Sequence, residues 1–177
     1  MLLNGNSSTN LIETERLILR KLSTDDAVFI LNLLNQPSFI HYIGDRGVRT
    51  LEDANRYILK GAVASYERFG FGLYLTRLNE SEVPIGICGL VKRDTLDDAD
   101  IGFAFLQQYW SKGYAFESAS AVLAYARNTL GLKKILGITT PDNTGSIRVL
   151  EKIGLKFEKM VKLSEDDIEL KLFVSEA

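Results

Sequence analysis

Residues 101–115 hold the feature that constrains the fold most: a strand that is followed, after a short turn, by a helix opening with small residues. Residues 101–106 form a short apolar run typical of a buried strand, and Ser111, Gly113 and Ala115 stand at the start of the helix. The first amides of a helix lack partners within it, and small side chains leave them uncovered, so this junction can bind an anion such as phosphate. A tight turn that needs glycine for packing is the alternative. Neither a P-loop nor a Gly-x-Gly-x-x-Gly motif is present.

Helix and strand signals alternate along the rest of the chain. Ser23 with Asp26, and Thr50 with Asp53, form capping-box patterns that predict helices to about residues 35 and 69, with Pro37 ending the first and residues 37–49 forming a loop. Further predicted strands are 14–20, 71–78, 84–91, 100–106, 134–140, 157–163 and 169–174, and further helices 112–130 and 143–153. The order β-α-α-β-β-β-α-β-α-β-β predicts an α/β (α+β) fold, with a single mixed, mostly antiparallel central sheet flanked by helices.

Composition excludes several classes of protein. The chain has 177 residues, with 21 Lys and Arg against 23 Asp and Glu, which gives a net charge of −2 and argues against a nucleic-acid partner. One Cys excludes a disulfide framework, and one His with one Cys argues against a protein-built metal site. No apolar run approaches the roughly 20 residues of a membrane span, so we expect no membrane partner and a cytoplasmic protein.

No repeat, low-complexity tract or linker divides the chain. We therefore expect one domain over residues 11–177, preceded by a flexible N-terminal tail over residues 1–10. That tail lacks the basic and apolar regions of a signal peptide.

Three segments resemble a known family. The sequence Trp110-x-x-Gly113-x-Ala115 is similar to the Gln/Arg-x-x-Gly-x-Gly/Ala acyl-CoA loop of the GNAT family of N-acetyltransferases. Residues 14–20, 101–115 and 143–154 together look like its RimJ/RimL-like branch of ribosomal-protein N-terminal acetyltransferases, and the resemblance covers roughly residues 13–173 in the family's order. Trp110 departs from the wider family's Gln or Arg, which matters little where backbone amides hold the phosphate.

The resemblance implies that acetyl-CoA is the co-substrate, with no metal. The backbone of the strand ending at residue 106 would pair with the pantetheine arm, and the amides of residues 110–115 would bind the pyrophosphate. The implied binding residues are Phe103, Phe105, Trp110, Ser111, Lys112, Gly113, Tyr114, Ala115, Asn143 and Ser146. By its position alone, Asn143 is also a good helix N-cap.

The resemblance also implies direct attack of a primary amine on the thioester in a ternary complex. Leu150 stands where many relatives have a Tyr that donates a proton to the leaving thiolate. In the RimJ/RimL-like branch a Ser at the position of Ser146 is assigned this role. The alternative is that the Ser146 hydroxyl only bonds to backbone groups at the start of the helix. Asp100 is the candidate general base, and the alternative is that it is only a charged residue of a turn. Glu169 is a second candidate for the base. We expect Glu117 to compensate the helix dipole or to pack.

Several residues and questions stay open at this level. Cys88 lies in an apolar strand and reads as inert packing, and His41 reads as a loop histidine or an acceptor contact. A basic segment at Arg148, Lys152, Lys156, Lys159 and Lys162 is either a solvated face or an attraction for phosphate. The expected acceptor is a protein N-terminus or a small amine, and a homodimer is expected only from the family. Two other functions stay open: a non-catalytic domain that binds or senses acyl-CoA, and an interaction domain without a ligand.

Overall fold

A computed structural model describes residues 10–176 of the protein. Its helices pack on one mixed sheet of eight strands. Residues 1–9 of the predicted tail lie outside the described residues, and Asn10, which we assigned to the tail, begins the first strand. The strands are β1 (Asn10–Glu13), β2 (Leu17–Lys21), β3 (Leu73–Leu78), β4 (Pro84–Val91), β5 (Asp100–Phe105), β6 (Leu136–Thr139), β7 (Leu155–Val161) and β8 (Leu170–Ser175).

The spatial order of the strands is β1-β2-β3-β4-β5-β6-β8-β7, and every neighbouring pair is antiparallel except β5 and β6. The prediction of a mixed, mostly antiparallel sheet is therefore confirmed. The parallel pair is joined at one register position, Asp100 opposite Leu136. Beyond that point the two strands diverge and leave a gap in the middle of the sheet.

Helices cover both faces of this sheet. They are α1 (Ala27–Leu34), α2 (Pro37–Tyr42), α3 (Leu51–Ile58), α4 (Ala64–Phe69), α5 (Tyr114–Asn128) and α6 (Thr144–Lys152). Both predicted capping boxes are present: Ser23 and Asp26 cap the 3₁₀ turn Thr24–Asp26 that leads into α1, and Thr50 and Asp53 cap α3.

Two predictions in the N-terminal half are wrong. Residues 37–49 are not all loop, because Pro37 occupies the first turn of α2 instead of only ending α1, a position where its missing amide costs nothing. The predicted second helix is also not uniform, since a π-helical turn, Leu59–Val63, separates α3 from α4. The predicted stop at Gly70 is confirmed by its left-handed φ of 78°.

The core has two parts, one on each face of the sheet. Helices α1, α2 and α3 pack over one face through residues such as Ile30, Phe39 and Ile58, which meet Leu75 and Ile87 of the sheet. Helices α5 and α6 cover the other face through a second cluster that includes Ala119, Val122, Ala126 and Leu150. No helix between residues 10 and 176 is long and apolar enough to cross a membrane.

Candidate active site at the gap between β5 and β6

A cavity of about 690 Å³ lies at the gap between the diverging strands, and we call it the splay cavity. Its walls come from α2, the end of β5, the β5–α5 loop and the first turns of α5 and α6. The structure brings together nine of the ten residues that the resemblance implies for donor binding: Phe103, Phe105, Trp110, Ser111, Gly113, Tyr114, Ala115, Asn143 and Ser146. Lys112 does not line the cavity, and its ammonium lies 5.9 Å from the centre of the Tyr109 ring.

The start of α5 leaves its backbone amides unpaired. Gly113 precedes the helix with a φ of 83°, and Ser111 also has a left-handed φ, of 60°. No side chain caps this helix, and the amides of residues 111–116 donate no hydrogen bond to any residue between 10 and 176. Six consecutive free donors beside a positive helix end form a cradle for an anion. Strained backbone is typical of ligand-binding loops.

An ion pair from the other end of the chain supports this loop. The Glu117 carboxylate in α5 accepts hydrogen bonds from the Thr14 hydroxyl (2.7 Å) and from the backbone amide (2.9 Å) and Nε (2.6 Å) of Arg16. Arg16 Nη1 also donates to the Lys112 carbonyl at 3.0 Å. Burial opposes ionisation of Glu117, but these hydrogen bonds outweigh it and lower the pKa of the carboxyl. Sequence reasoning missed this support, since the partners are about a hundred positions apart.

The gap-facing edge of β5 carries free backbone groups. The amide of Leu106 donates to Ile85 of β4, so strand alternation turns the amides of Phe105 and Phe103 away from β4 and toward the gap. The carbonyl of Phe105 already accepts a 2.9 Å hydrogen bond from the indole nitrogen of Trp110. Trp110 thus ties the loop back to the strand, and its ring stays 41% exposed.

Helix α6 supplies the opposite wall. Asn143 is its N-cap, as predicted, and its side-chain oxygen accepts a 3.2 Å hydrogen bond from the Ser146 amide. The Ser146 hydroxyl has no partner among the described residues and lines the cavity, which leaves it available to a ligand. Leu150 is buried in the core under Gly137.

Asp100 lies at the closed end of the gap and does not line the splay cavity. It is 1% exposed and accepts a 3.0 Å hydrogen bond from Arg93 Nε. Burial raises the pKa of this carboxyl to about 6, against the opposing effect of Arg93. Glu169, the second candidate base, is exposed just before β8.

Helix α2 reaches across the open end of the gap. His41 Nε2 lies 2.9 Å from a carboxylate oxygen of Asp142, in the turn between β6 and α6, and both side chains are more than half exposed. Sequence reasoning placed His41 in a loop, whereas it lies in α2. Three residues of this helix, Ser38, Phe39 and Tyr42, and the residue after it, Ile43, line the cavity.

Of the remaining candidates, Cys88 lies outside the splay cavity and part of the basic segment lines it. Cys88 is buried, and burial raises the pKa of its thiol to about 12, in keeping with inert packing. The basic segment divides: Arg148 and Lys152 line the splay cavity, whereas Lys156 pairs with Glu176 at the surface.

Comparisons with known proteins agree with this geometry. A family model for the acetyltransferase (GNAT) domain matches residues 16–156. Two proteins of Bacillus subtilis (strain 168) named as uncharacterized N-acetyltransferases are similar over most of their length. YoaA is 29% identical over 154 residues and covers 86% of each chain, and YnaD is 30% identical over 151 residues and covers 85% of each chain.

Solved structures share the fold. A GNAT-family acetyltransferase from Bacillus anthracis superposes with a TM-score of 0.76 and 27% identity over 92% of this chain and 96% of its own. An acetyltransferase from Agrobacterium tumefaciens C58 gives a TM-score of 0.80 and 25% identity over 96% and 95%. RimL, a ribosomal-protein acetyltransferase in complex with coenzyme A, shares the fold at 17% identity, with a TM-score of 0.78 over 91% and 94%. With the domain model matching residues 16–156, the chain belongs to the GNAT family of acetyltransferases and is an acyltransferase enzyme.

Proposed function

We propose that this enzyme moves the acetyl group of acetyl-CoA to a primary amine, by direct attack of the amine in a ternary complex and in the manner of the RimJ/RimL-like branch. The observation that carries the proposal is the run of free amides at residues 111–116, beside an open strand edge in the same cavity. An elongated donor with a pyrophosphate at one end and amides along its arm matches both features.

Each wall of the splay cavity takes one part of the donor in this proposal. The free amides of Ser111, Lys112, Gly113, Tyr114 and Ala115 bind the pyrophosphate. The amide of Trp110, which the resemblance also implies, already donates to the Gln107 carbonyl at 3.1 Å, so Trp110 contributes only as a residue of the cavity wall. The free backbone of Phe103 and Phe105 pairs with the pantetheine arm, and Asn143 contacts it from the opposite wall. Lys112 contributes only through its backbone, since its side chain lies outside the cavity.

Ser146 is the proposed donor of a hydrogen bond to the departing thiolate. Its hydroxyl is free and its amide is already held by Asn143, so the side chain is positioned without being used structurally. A thioester supplies an activated acetyl group, and the chain then has to align the amine, polarise the carbonyl and support the thiolate. Backbone amides at the gap between β5 and β6 are the proposed oxyanion donors.

Asp100 is the proposed general base, acting through water. With a pKa near 6, the carboxylate is ionised at neutral pH and close to the value that suits proton transfer there. Its burial behind Arg93 requires a water to carry the proton from the amine.

The acceptor in this proposal is a protein N-terminus, by analogy with RimL, an alpha-N-protein acetyltransferase, or a small amine. We further propose that residues 11–177 act as a single domain in the cytoplasm.

The proposal is tested by thermal unfolding with and without acetyl-CoA, followed by release of free thiol in the presence of amines. At about 100 times Kd the ligand should stabilise the protein by about 2.7 kcal/mol, which raises Tm by roughly 5–10 °C in a chain of this size. An unchanged Tm at millimolar acetyl-CoA contradicts donor binding. Binding without thiol release for any amine would identify a non-catalytic acyl-CoA binding domain instead.

A further inference from the structure

A second cavity, of about 700 Å³, lies on the face of the sheet covered by α1, α2 and α3, and we call it the α3 cavity. Its walls are α3, the π-helical turn and α4 on one side and strands β3 and β4 on the other. Its floor is apolar and includes Leu22, Val48, Ile58, Leu73 and Ile87. None of the candidate residues for donor binding lines it.

The lining of the α3 cavity is strongly cationic in a chain whose net charge is −2. One acid, Asp53, stands against six cationic side chains: Arg46, Arg56, Lys60, Arg68, Lys92 and Arg93. Arg56 and Arg93 have acidic partners, and the Lys92 ammonium donates to backbone carbonyls. The other three make no hydrogen bond or ion pair with any residue in the described part of the chain.

Polar groups from three separate parts of the chain converge at one side of this cavity. Tyr57 lines it, and its hydroxyl makes no hydrogen bond within residues 10–176. Burial raises the pKa of Tyr57, and the neighbouring guanidinium groups of Arg46 and Arg93 oppose that rise. A phenol donor beside two guanidinium groups is a fitting arrangement for a carboxylate or a phosphate. The π-helical turn follows Tyr57 along the same wall, and such a distortion is frequent at functional sites.

The splay cavity borders one face of β5, and residues that line the α3 cavity pack against the same face. Ala104 lines the splay cavity, and Gly102, two residues earlier on that face, lies against Leu73 and Val91, which line the α3 cavity. Two residues of a strand span about 7 Å. Asp100 follows in the same alternation and pairs with Arg93 of the α3 cavity. A molecule in the α3 cavity therefore lies next to the closed end of the gap, where the proposed base stands.

We propose that the α3 cavity is the acceptor site and that it selects an amine which also carries a carboxylate or phosphate group. This inference rests on the proposed function. The anionic group binds between Arg46, Arg93 and the Tyr57 hydroxyl, the carbon skeleton covers the apolar floor, and the amine faces Gly102 and Asp100. The surrounding cations also favour the neutral form of the amine, which is the form that attacks a thioester.

The test uses three matched pairs of acceptors in the thiol-release assay: phenylalanine and phenylalaninamide, 6-aminohexanoate and hexylamine, and phosphoethanolamine and ethanolamine. We expect the anionic member to have the higher kcat/KM in at least one pair, and the carboxylate and phosphate pairs distinguish the two sources of negative charge. Calorimetric titration of the same compounds in the presence of coenzyme A measures their binding without turnover.

Exposed and unpaired cations of the cavity allow a variant that should fold normally. In the double variant Arg46→Gln, Lys60→Gln we expect KM for the anionic acceptor to rise about tenfold, as the loss of a charge-assisted contact implies, with KM for acetyl-CoA unchanged. Lys133→Gln is the matched control, because Lys133 is an exposed cation that lines neither cavity. Thermal unfolding establishes that each variant is folded.

The outcomes separate the two proposals. If acetyl-CoA binds but no pair shows a preference for its anionic member, this inference is overturned and the proposed function stands. The same holds if acetyl-CoA binds and KM for the anionic acceptor is unchanged in the double variant. Absence of acetyl-CoA binding overturns the proposed function and, with it, the acceptor role of the α3 cavity.

Discussion

Helices α3 and α5 begin in opposite ways. At the start of α3, Thr50 and Asp53 each accept a hydrogen bond from the other's backbone amide, and Asp53 also accepts one from the Arg49 amide. At the start of α5, Gly113 provides no side chain, and the amides of residues 111–116 have no partner in the described chain. The chain thus completes the start of α3 with its own side chains, even though Asp53 lines the α3 cavity, and it leaves the backbone amides free at the start of α5, in the wall of the splay cavity.

Substitution of Gly113 should remove the arrangement of free backbone amides that distinguishes the start of α5 from the start of α3. Gly113→Val places a branched side chain at a φ of 83°, with its Cβ 3.2 Å from Arg16 Nη2, so the loop must change its path. We expect Kd for acetyl-CoA, measured by calorimetry, to rise by about 100-fold or more while the protein stays folded.

Gly131→Val is the control for this change. Gly131 has a similar φ of 69° at the other end of α5, and its added Cβ would meet no atom within 4 Å. It should lose comparable stability and keep its affinity for acetyl-CoA. Equal affinity of both variants would contradict the assignment of the phosphate-binding loop.

The start of α6 lies between the two extremes, since Asn143 caps one amide and leaves the Ser146 hydroxyl free. Ser146→Ala keeps this cap, and we expect kcat to fall by roughly ten- to a hundredfold with Kd for acetyl-CoA nearly unchanged. Thr144→Ala, in the same first turn but outside the cavity, should leave both constants unchanged. An unchanged kcat in Ser146→Ala would exclude the proposed role of the hydroxyl.

Helix α5 does carry an acid in its first turn, Glu117, but that acid accepts hydrogen bonds from Thr14 and Arg16 in the turn between β1 and β2. Glu117→Gln removes the negative charge that faces Arg16, and we expect the free energy of unfolding to fall by about 1–2 kcal/mol in denaturant titration. Affinity for acetyl-CoA should weaken severalfold, because Arg16 also holds the Lys112 carbonyl. Glu67→Gln, an acid in the first turn of α4 without such partners, should change neither quantity.

The smallest effect is expected at the completed helix start. Thr50→Ala removes the side-chain acceptor of the Asp53 amide, which should lower the free energy of unfolding by about 1 kcal/mol. Calorimetry should find the affinity for acetyl-CoA unchanged. A loss of affinity in Thr50→Ala would mean that the start of α3 influences acetyl-CoA binding at the start of α5. The two helix starts would then not have separate roles in stability and in binding.

Local signals made most of the fold predictable. The bounds of β4 are those predicted, and both capping boxes and the stop at Gly70 follow from patterns within a few residues. The misses are elements that depend on distant partners or on ambiguous residues. Strand β1 has four residues and exists through its pairing with β2, and Pro37 is as compatible with a helix start as with a helix end.

The residues of the β5–α5 wall of the splay cavity were predictable as a group, because they are contiguous and resemble a family motif. The α3 cavity was not, since its cations come from positions 46 to 93 and only folding brings them together. The basic segment that does stand out in the sequence is divided by folding: Arg148 lines the splay cavity, and Lys156 pairs with Glu176 at the surface.

The single pairing between β5 and β6 has a consequence for solubility. An open strand edge usually lies at the margin of a sheet, where it can recruit a strand of another chain and begin aggregation. Here the edge that carries Phe103 lies in the interior of the sheet, between two strands and beside Phe39 and Tyr42 of α2. This open edge is therefore less available to a strand of another chain than an edge at the margin of the sheet.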